Sequence, residues 1–89
     1  MGTISKSDFF FYSCVRQYML ANSIKVFDGS VNLGVEYSNL NYQELMEIGN
    51  KSKAYAASIR APDYSDSEHG LPAVLILCQE EGEKIYGAE

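Results

Sequence analysis

The residues most able to do chemistry are gathered in one short segment. His69 is the only histidine and follows the acids Asp63, Asp66 and Glu68. An imidazole beside carboxylates could support acid–base or metal chemistry. However, the acids lack the alternate spacing and the late bidentate glutamate of a calcium loop, and a nucleophile needs a rigid scaffold to hold it against its base. We therefore predict a solvated acidic loop, with a partner contact as the alternative.

The two cysteines do not suggest a second site. Cys14 falls in an aromatic segment and Cys78 ends the apolar run that begins at Ala73, settings typical of buried thiols that act as small hydrophobes. Neither has the nearby histidine or second cysteine pair of a metal site, and no secretory signal favours a disulfide. The glycines are scattered singly rather than grouped in a phosphate-binding loop. We predict a protein that is not an enzyme and holds no metal or cofactor.

Charge is unevenly distributed along the chain. The formal net charge is −5, which disfavours nucleic-acid binding because such proteins gain affinity by neutralising phosphates with basic side chains. A local basic patch at Lys51, Lys53 and Arg60 is too small to reverse this expectation. Residues 61–89 hold seven acids against Lys84. Such an acidic end can steer the molecule toward a basic partner, although acids also serve solubility.

Length and composition indicate one small globular domain. The chain has 89 residues, of which 46% are apolar and 21% charged, values close to those of ordinary globular proteins. A chain this short buries a modest core, so association with another surface would help to stabilise it. The longest apolar run, Ala73–Cys78, is too short to span a bilayer, and no secretory signal is apparent. We predict a single cytoplasmic domain over residues 1–89, without a membrane segment.

The hydrophobic pattern predicts alternating helices and strands. Period-two alternation over Ile24–Tyr37, interrupted by Asp28-Gly29, predicts a β-hairpin. Asn41 and Glu44 form a capping-box pattern that begins a second helix, predicted to be continuous through Gly49 and to end before Pro62. The full order is a helix from about Asp8 to Asn22, two strands, the second helix, and strands at Ala73–Cys78 and Lys84–Gly87. A turn over residues 80–83 joins the last two strands.

The first helix carries more apolar surface than one core face requires. Its core face contains Phe11, Cys14, Val15, Tyr18 and Met19, spaced as on one side of a helix. Phe9 and Leu20 fall on the opposite face and Phe10 at its border. Loops or a sheet edge could cover these three residues. Alternatively, they form a surface for self-association or for a partner.

These patterns predict an α+β fold with a two-layer architecture. Both helices would pack on one face of an antiparallel sheet of about four strands, an order that many unrelated domains share. The function predicted is a small acidic protein-binding module, an inhibitor of the immunity, antitoxin or phage anti-defence kind that covers a basic partner surface. A homodimeric structural subunit is the alternative, and a small-ligand binder a third. The residues predicted to contact the partner are Phe9, Phe10, Leu20, Asp63, Asp66, Glu68, Glu80, Glu81 and Glu83.

Overall fold

The computed structural model describes residues 5–23, 40–59 and 70–87, and these residues form three helices. They are α1 (Lys6–Ala21), α2 (Tyr42–Ser58) and α3 (Gly70–Tyr86). α1 packs against both other helices. None of the described residues is in a strand, so the fold they form is all-α and the predicted α+β class is wrong. The predicted hairpin over Ile24–Tyr37 lies outside the described residues.

Capping side chains fix the start of the first two helices. Ser5 caps α1 by accepting a hydrogen bond from the amide of Asp8 at 3.1 Å, so the helix begins slightly before the predicted start at Asp8. The predicted capping box of α2 is confirmed. Asn41 Oδ1 accepts from the Glu44 amide at 2.7 Å, and Glu44 Oε1 accepts from the Asn41 amide at 3.1 Å. Each cap satisfies a backbone donor that the helix itself leaves without a partner.

α2 is one continuous helix through Gly49, as its amphipathic pattern predicted. Ser52 and Ala56 are buried, and the Ser52 hydroxyl donates back to the carbonyl of Ile48 at 2.8 Å. Gly49, in the same helix, does not pack closely against a neighbour. A Cβ atom at Gly49 would have no atom within 4 Å. Gly49 therefore gains nothing from close packing that would offset its poor helix propensity.

α3 replaces both of the strands predicted near the end of the chain. Ala73–Cys78 and nearly all of Lys84–Gly87 belong to one helix. A run of consecutive apolar residues has no periodicity of its own, so a buried strand and a helix look alike in it. The helical pattern appears only over the longer segment, where every fourth residue is buried: Gly70, Val74, Cys78 and Gly82. Gly87, at φ 82°, ends the helix in the left-handed conformation that glycine adopts easily.

Gly82 lies in the contact between α3 and α1, not in the turn predicted for residues 80–83. A Cβ atom at this position would lie 2.9 Å from the carbonyl oxygen of Ser7 and 3.2 Å from Cδ1 of Phe10. These distances are shorter than van der Waals contact, so only glycine fits. The two helices therefore approach closely at this level, and Gly82 is the residue that permits it.

α1 is the central helix of the described core. Its side chains Phe10, Cys14, Val15 and Tyr18 are completely buried, and Phe9 and Met19 are nearly so. The ring of Phe10 lies 6.0 Å from the rings of both Tyr55 on α2 and Tyr86 on α3. Because α1 contacts a helix on two sides, it buries a wider apolar face than a helix packed on one surface. This placement accounts for much of its unusual apolar content.

Candidate functional site

The outer face of α3, turned away from α1, combines apolar and acidic side chains. Four exposed residues form it: Ala73, Ile76, Glu80 and Glu83. Their spacing of three, four and three residues places them on one side of a helix. Ile76 falls roughly 200° around the helix from Val74 and from Cys78, both of which are buried against the core. The side chain of Ile76 is 56% exposed, which is high for a large aliphatic residue.

The charge of this face is concentrated at its C-terminal half. Glu80 and Glu83 are both exposed, whereas Glu81 is half-buried. The charge of Glu81 contributes to raising the pKa of Cys14 and of Tyr55. Lys84 flanks the two exposed acids. The outer face of α3 therefore presents an aliphatic group next to two solvated carboxylates.

The structure separates the apolar residues that the sequence analysis assigned to a partner surface. Phe9 and Phe10 lie in the core at 8% and 0% exposure, while Leu20 is 50% exposed. Phe9 and Phe10 were expected on or beside the outward face because the helix was assumed to bury only one side. α1 buries two sides, since it packs against both α2 and α3. Partner contact through these residues stays a prediction, and of the three only Leu20 is exposed.

Leu20 and the acids of α3 lie toward opposite ends of the helix pair. Phe10 of α1 lies beside Gly82 of α3. Cys14, one turn later in α1, lies near Cys78, which is one turn earlier in α3. The two helices are therefore antiparallel. At a rise of about 1.5 Å per residue, Leu20 lies roughly 9 Å beyond Cys14, away from the C-terminal end of α3. The separation between Leu20 and the exposed acids is thus well over 10 Å along the helix axis. Asp63, Asp66 and Glu68 lie outside the described residues.

Ile76 is a surface residue that was not predicted from the sequence. The signal that could have found it is the period-four burial of α3, since Val74 and Cys78 on one side place Ile76 on the other. The apolar run was assigned to a strand, in which Val74, Ile76 and Cys78 would share one face. The exposed position of Ile76 therefore follows only when α3 is treated as a helix.

α2 also has exposed apolar residues, but in a different electrostatic setting. Tyr42 is 73% and Met46 49% exposed. The acid beside them, Glu47, lies 3.9 Å from the ammonium of Lys51 one turn later, which balances its charge. Glu44 pairs with Lys6 of α1, and the hydrogen bond from Lys6 lowers the pKa of its carboxyl. The surface of α2 is therefore close to neutral where the outer face of α3 is acidic.

No protein-family model, curated protein or solved structure matches this chain. The outer face of α3 therefore has to be interpreted from its own chemistry. The described residues include no group of three or more potential metal ligands among histidine, cysteine, aspartate and glutamate. Among the same residues, no helix has the length and hydropathy needed to cross a membrane. His69 and the acids before it lie outside the described ranges.

Three acidic groups inside or at the edge of the core hold their protons more tightly than usual. A hydrogen bond with Cys78, followed by burial, raises the pKa of the Cys14 thiol above its ordinary value of 9.0. Burial raises the pKa of the Tyr55 and Tyr86 hydroxyls above 10.0, and the charge of Glu47 adds to the effect at Tyr86. The hydroxyl of Tyr86 is buried without a hydrogen-bond partner among the described residues. All three groups therefore favour the protonated form in the folded protein.

We expect the protein to lose stability as the pH rises above about 9. In the unfolded chain these groups return to their lower, ordinary pKa values and lose protons first. Their contribution is therefore fully present below pH 9.0 and is lost as the pH rises through 9.0 and 10.0 toward the folded-state values. Thermal melts between about pH 8 and about pH 11 measure this loss.

Matched tyrosine variants separate this effect from general alkaline damage. Tyr86→Phe removes one buried hydroxyl and should flatten the fall of Tm above pH 10.0. Tyr42→Phe, at an exposed tyrosine of α2, should leave the fall as it is in the unaltered protein. Equal alkaline profiles for the two variants would contradict the assignment.

Proposed function

We propose that the protein is a small acidic, non-enzymatic binding module that covers a basic surface of a partner protein. The observation that carries the proposal is the outer face of α3, where Ile76 is exposed one turn before Glu80 and two turns before Glu83. At protein interfaces a buried apolar anchor supplies affinity, and neighbouring groups of net charge opposite to the partner's supply steering. Blocking a basic surface is the action of an inhibitor of the immunity, antitoxin or phage anti-defence kind.

The scaffold supports such a role because it holds α3 rigidly. Gly82 seats α3 closely on α1, and the Tyr55 hydroxyl donates to the Leu77 carbonyl at 3.4 Å from α2. The ammonium of Lys51 lies 5.5 Å from the centre of the Tyr86 ring, a cation–π contact that also joins α2 to α3. A helix fixed in this way loses little conformational entropy when its outer face is covered.

Capture from host lysate with surface variants tests the proposal. We expect Ile76→Asp and Glu80→Lys each to reduce capture of the main partner about tenfold or more at low salt, as truncation of an interface anchor does. Met46→Asp and Glu47→Lys introduce the same changes on exposed residues of α2, and should capture as well as the unaltered protein. Mass spectrometry of the captured protein reports its identity and its charge.

Ionic strength provides the second criterion of this experiment. Salt screens the attraction between exposed carboxylates and a basic partner. Capture should therefore fall at high salt, and the difference in capture between Glu80→Lys and the unaltered protein should become smaller. Capture that resists salt and is equally strong for all four variants would show that the outer face of α3 is not the binding surface. A partner with an acidic surface would contradict the proposal as well.

A further inference from the structure

The two cysteines of the chain meet in the core between α1 and α3. Cys14 and Cys78 are both 0% exposed, and Cys78 is the neighbouring group with the largest influence on the pKa of the Cys14 thiol, which it raises. They belong to different helices and lie far apart in the sequence. The described residues thus hold two neighbouring thiols in one buried cluster, although each alone resembles an inert buried cysteine.

α3 also approaches α1 closely within one turn of Cys78. A disulfide requires Cα atoms about 4.4–6.8 Å apart, which is nearer than most helix pairs approach. Gly82, one turn after Cys78, lies so close to α1 that an added Cβ would be 2.9 Å from the Ser7 carbonyl oxygen. Gly82 therefore allows the two backbones to come close together one turn away from Cys78. This observation is independent of the proximity of the two thiols.

We propose that Cys14 and Cys78 form a redox pair that closes into an intramolecular disulfide with a low-molecular-weight disulfide as the oxidant, linking α3 covalently to α1. The first cysteine loses its proton to solvent, and its thiolate attacks the small disulfide and releases one small thiolate, which takes up a proton. The second cysteine then loses its proton and attacks the protein sulfur of the mixed disulfide, releasing the second small thiol. Two protein thiols are oxidised and one small disulfide is reduced to two thiols.

Burial makes oxidation of this cysteine pair slow, and the disulfide stabilises the fold once it has formed. The thiols react only as thiolates, and inside the closed helix pair both side chains are shielded from solvent. Oxidation therefore requires α3 to separate transiently from α1. Once formed, the bond stabilises the native contact by restricting the unfolded chain. Oxidation thus converts the α1–α3 contact from a noncovalent one to a covalent one.

Oxidised glutathione, added to the native full-length protein, tests the proposal. We expect a mass loss of about 2 Da, since two hydrogens leave, and a linked peptide pair containing Cys14 and Cys78 under non-reducing digestion. The Tm should rise by more than about 10 °C, as expected for a crosslink that closes a long loop. A reducing agent should reverse the mass change and the rise in Tm.

Single variants provide the control, and the unaltered protein alone can refute the proposal. Cys14→Ala and Cys78→Ala cannot close the bond, so the oxidant should not raise their Tm. If either variant fails to fold, the peptide map of the unaltered protein decides the matter. The proposal is overturned if native protein keeps two thiols after prolonged treatment, stops at a glutathione adduct, forms only disulfide-linked dimers, or melts at a lower temperature after oxidation.

Discussion

Replacement of Gly82 by alanine should lower the free energy of unfolding by about 2 kcal/mol, although alanine is the better helix former. The added methyl group would lie 2.9 Å from the Ser7 carbonyl oxygen, which is a backbone atom and cannot move aside alone. α1 and α3 must separate to admit it, and the contacts between them weaken. Urea unfolding followed by far-UV circular dichroism measures the loss.

Gly49 provides the matched control for this prediction. It is also a glycine inside a helix, but an added Cβ would have no atom within 4 Å. Gly49→Ala should therefore raise the free energy of unfolding by about 0.5–1 kcal/mol, the difference in helix propensity. If the two substitutions shifted stability in the same direction, the close approach of α3 to α1 at Gly82 would be wrong.

Phe10→Ala should lower the free energy of unfolding by about 3–5 kcal/mol, enough to unfold much of a small domain. Phe10 is 0% exposed, and its ring lies 6.0 Å from the ring of Tyr55 on α2 and 6.0 Å from the ring of Tyr86 on α3. Its removal leaves a cavity where the described helices meet. Phe10→Leu, a smaller change, keeps the protein folded for measurement and should still be clearly destabilising.

Leu20→Ala is the comparison for Phe10. Leu20 is 50% exposed near the end of α1, and its truncation should change stability by less than about 0.5 kcal/mol. Thermal or urea unfolding of the two variants gives the ranking. A large loss for Leu20→Ala together with a small one for Phe10→Leu would contradict the placement of α1 between α2 and α3.

The sequence predicted the helices that have local signals. α2 was predicted almost completely because its capping box, its amphipathic pattern and the absence of an internal breaker all act within the helix itself. The core face of α1 was also correct at Cys14, Val15, Tyr18 and Met19, all of which are buried. Its second buried side was not predictable, because it depends on a helix that begins some fifty residues later in the chain.

The wrong prediction of strands where α3 lies has its cause in tertiary structure. Gly82 near three glutamates is typical of a turn, and Ala73–Cys78 is equally compatible with a buried strand. The helical period is visible in the burial of every fourth residue from Gly70 to Gly82, which depends on packing against the rest of the fold. The acidic part of the candidate site, Glu80 and Glu83, was predicted from composition alone. Its apolar part, Ile76, could be predicted only with the correct secondary structure.

The most direct test of the outer face of α3 is site-specific photo-crosslinking to the captured partner. A photoreactive residue replaces Ile76 in one variant and Met46 of α2 in another, since both positions are about half exposed. We predict that position 76 crosslinks to a basic partner, that Glu80→Lys or high salt weakens the crosslink, and that position 46 gives none. Crosslinking at position 46 with none at position 76 would contradict the assignment of the partner surface to α3.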